Sequence, residues 1–196
     1  MKRKIVIFDV GRVLVDFSHE LFRDYLIKNG VSISSQEDFY QVTRLLDYEK
    51  GKISSKEFIQ LVKSNIKRNV SETDIIEAWT NIFTPINEML EFCKFIGTKC
   101  STYILSNSNE LHWNYLNENY DINSLTQKAF TSFEIGAMKP SNYAYEFVEN
   151  TLECLPQDIL FIDDMPENIE IAKSRGWKGI VHEDISITKA NLFKLI

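Results

Sequence analysis

Four places in the chain end an apolar run or a turn on residues able to do chemistry. Ile5-Val6-Ile7-Phe8 runs into Asp9, Thr102-Tyr103-Ile104-Leu105 into Ser106-Asn107, and Ile159-Leu160-Phe161-Ile162 into Asp163-Asp164, while Lys139-Pro140 marks a turn. A lone Asp after a strand usually caps a turn, and a lone Lys-Pro pair is usually surface. Four such endings together supply a carboxylate nucleophile, two further carboxylates, an ammonium and a hydroxyl-amide pair. Phosphoryl transfer needs such a set: an in-line nucleophile and groups that stabilise spreading negative charge. Asp9 would attack phosphorus and form an aspartyl-phosphate that water then hydrolyses. Its carboxylate is expected to be ionised and to need no activating base, provided its repulsion from phosphate is cancelled. Asp9, Asp163 and Asp164 at adjacent strand ends would repel one another unless a hard cation lay between them, and oxygen ligands suit Mg²⁺. The bland reading of Asp163-Asp164 is an acidic pair favoured by a helix N-terminus. Ser106 and Asn107, just before a helix expected near Asn109, would cradle phosphate with N–H groups at that terminus, alongside simple capping by Ser108 or Asn109. Lys139, held extended by the proline after it, would reach inward as a point charge.

The elements that must position these residues follow from the apolar pattern. Residues 5–8 read as a strand buried on both faces of a parallel sheet, and ligands of open α/β sheets bind at the carboxyl ends of such strands. Val10 to Asp16 reads as a tight excursion and then extended chain. Residues 17–85 carry helical periodicity, with a first helix closed by Gly30 and a second from Ser35 to Tyr48. Capping boxes Ser54-x-x-Glu57 and Ser71-x-x-Asp74 open a third and a fourth. Residues 86–196 alternate: a helix over 86–96, strand 102–105, helix 109–119, strand 129–131, a helix with Pro140 at its first position, strand 159–162, a helix from Pro166 to Arg175-Gly176, strand 179–181 and helix 189–195. The expected architecture is a doubly wound parallel α/β sheet built from residues 1–16 and 86–196, with a small helical cap of residues 17–85 inserted.

Bulk composition narrows the classes. The chain has 196 residues, 44% hydrophobic and 26% charged, with a net charge of −6. Without a basic stripe to neutralise phosphates, nucleic acid is not an expected partner. Met1-Lys2-Arg3-Lys4 imitates the start of a signal peptide, but the apolar run that follows is too short, and no stretch is long enough to span a bilayer. Cys93, Cys100 and Cys154 lack metal-ligand spacing and read as reduced packing thiols. A cytoplasmic protein is expected, monomeric or a weak dimer, with a small phosphorylated metabolite as its partner.

Phe8-Asp9-x-Gly11, Leu105-Ser106-Asn107, Met138-Lys139-Pro140 and Ile162-Asp163-Asp164-x-x-x-Asn168-Ile169 together resemble, in order and spacing, the four motifs of the haloacid dehalogenase (HAD) superfamily. The resemblance covers nearly the whole chain, and the insert resembles that superfamily's small C1 cap. Tyr48-Glu49-x-Gly51-x-Ile53-Ser54, Ser106-Asn107-x-Asn109-x-Leu111-His112 and Gly136-x-x-Lys139-Pro140 resemble the bacterial subgroup that includes α-glucose-1-phosphatase. The resemblance implies that the backbone carbonyl of Gly11 joins Asp9 as a metal ligand, that Asp164 is a direct ligand, and that Asp163 is direct or acts through water.

In one respect the chain departs from the family. The usual first motif carries a second Asp two residues after the nucleophile, serving as general acid and base, and here that position is Gly11. Loss of such proton transfer is serious for an ordinary alkoxide leaving group, since it contributes about 10²–10⁴-fold. A less basic leaving group, such as the anomeric oxygen of a sugar 1-phosphate, would need it less. Alternatively, Asp16 or a cap residue would supply the proton, or the protein would bind without turnover. Arg12 and His112 are further candidate substrate contacts, His112 equally as a packing residue. His19 is expected at the surface, His182 as strand decoration, and Trp79, Phe83, Phe92 and Phe95 in cores. The main expectation is a Mg²⁺-dependent phosphatase acting on a sugar phosphate such as glucose 1-phosphate. The competing ones are a 2-haloacid dehalogenase, for which the Asp163-Asp164 pair has no task, and a non-catalytic binding or regulatory protein.

Overall fold

The computed structural model describes residues 4–195; residues 1–3 and Ile196 of the expected core segments lie outside that range. Its strands are β1 (Ile5–Phe8), β2 (Val15–Phe17), β3 (Phe83–Pro85), β4 (Ser101–Ser106), β5 (Lys128–Thr131), β6 (Ile159–Asp163) and β7 (Lys178–Val181). Five of them form a parallel sheet in the order β5-β4-β1-β6-β7. The whole of β1 is buried, as a β-branched and aromatic run must be when helices cover both faces. Strand order reverses at β1, so Asp9 stands at the switch point where a crevice opens at the strand ends.

The helices are α1 (His19–Lys28), α2 (Gln36–Thr43), α3 (Leu45–Glu49), α4 (Ser55–Asn65), α5 (Glu72–Thr80), α6 (Asn87–Gly97), α7 (Glu110–Tyr120), α8 (Ser132–Ile135), α9 (Asn142–Leu152), α10 (Pro166–Ser174) and α11 (Ile185–Leu195). Alternate residues of the sheet feed two cores. Val6, Phe8, Ile104 and Ile162 pack with Met89, Phe92, Trp113 and Leu192 from α6, α7 and α11. Ile5, Ile7, Ile159 and Phe161 pack with Tyr145, Val148, Ile169 and Ala172 from α9 and α10. A third cluster, with Phe22, Leu26, Phe58, Val62, Ile75 and Trp79, belongs to α1, α4 and α5. The chain enters and leaves this helical unit through β2 and β3, which pair antiparallel with Asp16 opposite Thr84.

The expected capping boxes at Ser54/Glu57 and Ser71/Asp74 form, and a third forms at Ser35/Asp38; each such cap contributes about 1 kcal/mol. The single helix expected over Ser35 to Tyr48 is instead two. Arg44 adopts a left-handed conformation, φ 49°, and serves as C-cap of α2 and N-cap of α3. Its guanidinium turns back onto Asp47 at 2.8 Å, a local side-chain contact that helical periodicity does not reveal. Pro140 is not the first residue of α9; it follows a cis peptide bond and precedes the N-cap Ser141. The last helix starts at Ile185, earlier than expected, where Asp184 accepts from the N–H groups of Ser186 and Ile187. Phe95 is 45% exposed and belongs to no core. Among the described residues no helix is long and apolar enough to cross a membrane.

Candidate functional site

The site is built where β1, β4 and β6 end. The N–H of Asp9 donates to the carbonyl of Ile162 at 2.8 Å, tying the loop after β1 to β6. Asp9 Oδ1 accepts from the N–H of Val10 at 2.7 Å and lies 2.8 Å from Lys139 Nζ. Among the described residues no donor reaches Oδ2, which leaves that oxygen to act. The Lys139 ammonium is buried and also donates to Asp163 Oδ2 at 2.6 Å. Its backbone is clasped from both sides by Asn107, whose Oδ1 accepts from Lys139 N–H at 2.8 Å and whose Nδ2 donates to the Lys139 carbonyl at 2.9 Å. The Asn107 amide, expected to cradle phosphate, is therefore largely spent on positioning Lys139. Ser106 is buried, and its hydroxyl makes only one long contact, 3.4 Å to the Asn107 carbonyl, so it remains available to an anion. Helix α7 is capped by Asn109, whose Oδ1 accepts from His112 N–H.

Asp163 and Asp164 are neighbours with different surroundings. Asp163 is fully buried; its Oδ1 accepts from Met165 N–H and Asn168 Nδ2, both at 2.8 Å, and its Oδ2 accepts from Lys139. Asp164 is half-buried, and no side chain among the described residues donates to it. One oxygen from each of Asp9, Asp163 and Asp164 lies within 4.8 Å of the others. Three carboxylates against one ammonium leave two negative charges uncompensated, and hard oxygen donors with that excess suit a divalent cation such as Mg²⁺. Burial pushes Asp9 up to about 7, with Lys139 opposing and Asp163 adding to the rise. Burial and then Asp163 likewise raise Asp164. The expectation that Asp9 is ionised without help thus depends on a cation beside it. Burial works against the charge on Lys139, but Asp9 and Asp163 outweigh it and hold the ammonium protonated.

Other expected residues fall around a cleft of about 860 Å³ lined by Asp9, Gly11, Arg12, His19, Asn107 and Asp164. A Cβ on Gly11 would stand 2.8 Å from Phe17 Cε1. Arg12, with φ 57°, lays its guanidinium 5.3 Å over the Phe17 ring and 3.9 Å from Asp16. Asp16 sits exposed at the rim, its Oδ1 accepting from Phe17 N–H.

Of the three histidines, His112 takes the packing role and the other two depart from expectation. His112 is buried, stacked on Trp79 at 4.1 Å, and both its ring nitrogens are taken. Asn109 Nδ2 meets Nδ1 and the Trp79 carbonyl meets Nε2, each at 3.0 Å. It therefore packs the unit's base and has no free nitrogen for a substrate. Burial drives it down to about 3, so the ring is neutral. His19 is not at the surface: it lines the cleft, stacked parallel to Trp79 at 5.7 Å, and burial followed by Arg12 lowers it to about 4. His182 is buried, its Nδ1 on Thr188 Oγ1 at 2.8 Å and its N–H donating to the Asp163 carbonyl. Its ring ties the end of β7 to α11 and is not decoration.

The sequence alone gives no role to several residues lining the cleft, Glu20, Gln36, Tyr40 and Glu49 among them. Glu49, the last residue of α3, faces the cleft from the helical unit, and burial raises it to about 7. The only signal for it was its place in the Tyr48-Glu49-x-Gly51 phrase.

A five-stranded parallel sheet with a carboxylate at its switch point, a buried lysine joining that carboxylate to the first of an acidic pair on the neighbouring strand, and a helical insert after the first strand defines a Rossmann-like α/β core with an acidic site at its strand ends. The profile of the hydrolase family described as haloacid dehalogenase-like matches residues 3–176, and the chain belongs to that family. It is 25% identical over 190 residues to D-ribitol-5-phosphate phosphatase of Bacteroides thetaiotaomicron, covering 92% of each chain. It is also 25% identical to the sesquiterpene phosphatase astK of Aspergillus oryzae, over 98% of this chain and 96% of that one. Among solved structures, a HAD-family enzyme of Bacteroides thetaiotaomicron superposes with a TM-score of 0.87 at 25% identity, over 98% and 99% of the two chains. The wild-type complex of that enzyme with magnesium and inorganic phosphate superposes at 0.84, with 25% identity over 94% and 98%.

Proposed function

We propose that the chain is a Mg²⁺-dependent phosphatase that hydrolyses the phosphate ester of a small polar metabolite, a sugar or alditol phosphate, through an aspartyl-phosphate on Asp9. The observation that carries this reading is the division of labour on Asp9, which lines the cleft: Oδ1 is fixed by Val10 N–H and Lys139 Nζ, and no donor among the described residues is bonded to Oδ2. A carboxylate oriented in this way has paid its positioning entropy before substrate arrives. Asp9, Asp164 and the Gly11 carbonyl would hold the cation, which supplies charge neutralisation for the phosphoryl group when bound. Lys139 and Ser106 would then contact its oxygens, while Asp163 and Asn107 hold Lys139. The helical unit of residues 17–85 acts as a cap that shields the cleft from water. The phosphatase relatives of similar length support the reaction class, and the D-ribitol-5-phosphate phosphatase among them supports a phosphorylated polyol as substrate.

The test is phosphate release from a panel of sugar and alditol phosphates and p-nitrophenyl phosphate, with Mg²⁺ or EDTA. Turnover should need the metal and should fall to background in Asp9→Asn. Chloride release from a 2-haloacid that survives EDTA would overturn the reading in favour of attack on carbon.

A further inference from the structure

An alditol or alkyl phosphate leaves as a basic alkoxide, and Gly11 gives the site no side chain with which to protonate it. A proton for that oxygen must then come from another residue lining the cleft. Resting on the phosphatase reading, we propose that Glu49 is the acid–base catalyst of this site: it protonates the leaving oxygen and then deprotonates the attacking water from the cap side of the cleft.

Three observations converge on Glu49. It is fixed in place by backbone contacts to the core. Ser132 Oγ on α8 donates to the Glu49 carbonyl at 2.6 Å and itself accepts at 2.9 Å from the N–H of Ser108, in the loop that carries Ser106 and Asn107. Two residues on, Gly51 (φ 64°) lies against the carbonyl of Phe133, so close that a Cβ would stand 2.2 Å from that oxygen. The end of α3 is thereby seated on α8, where any side chain at position 51 would push it away. Second, Glu49 lines both the main cleft and a smaller cavity shared with Ser106, Asn107 and His112, and no donor among the described residues is bonded to its carboxyl. Third, burial alone lifts it to about 7, the value at which a group can both give and take a proton near neutrality.

The other groups on the cleft do not meet the need. His19 on α1 is neutral by burial and has no proton to give at neutral pH; Glu20 beside it is exposed. Asp16 is exposed, bonded to Phe17 N–H and faced by Arg12. Asp9, Lys139 and Asp164 are engaged across the cleft at the phosphoryl position. On α8, Glu134 is hydrogen-bonded to Thr131.

The proton balance closes. As Asp9 Oδ2 bonds to phosphorus and the P–O bond to the alcohol breaks, the Glu49 carboxyl passes its proton to the leaving oxygen and becomes carboxylate. Glu49 then accepts a proton from water as that water bonds to phosphorus and the Asp9–phosphorus bond breaks, restoring both carboxyl groups to their starting states and releasing phosphate.

The experiment measures kcat/KM against pH for wild type, Glu49→Gln and Glu49→Asp with Mg²⁺, on ribitol 5-phosphate or the best alkyl phosphate of the panel and on p-nitrophenyl phosphate. Nitrophenolate leaves without protonation, so its kcat/KM, which reports phosphorylation of Asp9, should fall less than about tenfold in Glu49→Gln. The alkyl ester should lose about 10²–10⁴-fold, and the alkaline limb near pH 7 seen for wild type should vanish; Glu49→Asp should restore part of the rate and the limb. Equal losses on both esters, an unmoved limb, or a wild type active only on aryl esters would overturn the assignment while leaving the phosphatase reading intact. A wild type inactive on every ester would overturn both.

Discussion

Gly11 and Phe17 show how one side chain dictates the absence of another. The Phe17 ring is held by the Arg12 guanidinium at 5.3 Å, by His19 at 5.1 Å between ring centroids and by Phe83 at 6.2 Å. A carboxylate restored at position 11 would collide with it, because even the Cβ lies 2.8 Å from the ring. Gly11→Asp should therefore not gain activity on alkyl phosphates. It should lower kcat/KM and reduce stability by about 1–3 kcal/mol, as over-packing does. Relieving the clash is the informative control: Gly11→Asp in a Phe17→Ala background should be more active on an alkyl ester than Phe17→Ala alone. If it is not, position 11 cannot deliver a proton in this fold for reasons other than space. The same scale explains what single residues concealed in the sequence. Asp9, Lys139 and the acidic pair were legible as chemistry because each ends an apolar run or sits in a marked turn. That Asn107 clasps the Lys139 backbone, and that Lys139 reaches Asp163 and not Asp164, depends on contacts between loops distant in sequence that no local pattern encodes.

Between elements, the joint of helical unit and core is a stack of rings. Trp79 of α5 covers His112 of α7 at 4.1 Å and His19 of α1 at 5.7 Å, and its Nε1 donates to Asn109 Oδ1 at 3.3 Å. Burial makes both imidazoles neutral in the folded chain, at about 3 and about 4, whereas in the unfolded chain they titrate near 6.5. The unfolded state therefore binds protons that the folded state refuses, and stability contributed above pH 6.5 is lost as pH falls toward 4. Urea unfolding between pH 7 and 5 should show that decline. His112→Gln should lower stability at pH 7 by about 1–3 kcal/mol, through hydrogen bonds broken at Asn109 and Trp79, and should decline less steeply; a parallel decline would exclude His112 as its source. The sheet, its parallel order and the capped helices were readable from apolar period and capping boxes. The break at Arg44 was not, and with it went the position of Glu49: a single helix over Ser35 to Tyr48 gives no reason for its end to turn onto α8. His19 was misplaced for a related reason, since a polar residue opening a helix looks solvent-facing until Trp79 from another helix is laid against it.

Across the whole molecule the charge distribution connects stability with function. The chain carries a net charge of −6, and three of its carboxylates, one fully buried, converge at the carboxyl ends of β1 and β6 with Lys139 as the cation salt-bridged to two of them. Such an arrangement is costly in the metal-free protein, since like charges close together and out of water repel strongly. A cation that binds only the folded chain shifts the unfolding equilibrium by about 2.7 kcal/mol at one hundred times its Kd. For a domain of this size that raises Tm by roughly 5–10 °C. Mg²⁺ should produce such a rise in a thermal melt, and EDTA should reverse it. The two neighbouring aspartates should separate the cation's ligand from the lysine's partner. Asp164→Asn should leave the metal-free Tm unchanged or slightly higher, because it removes repulsion, and should abolish most of the Mg²⁺ shift. Asp163→Asn should lower the metal-free Tm, because withdrawing one partner of a buried, hydrogen-bonded charge costs about 3–5 kcal/mol, while keeping more of the shift. The reverse pattern, with Asp163→Asn silent in the absence of metal and blind to Mg²⁺, would make Asp163 the ligand and Asp164 the bystander.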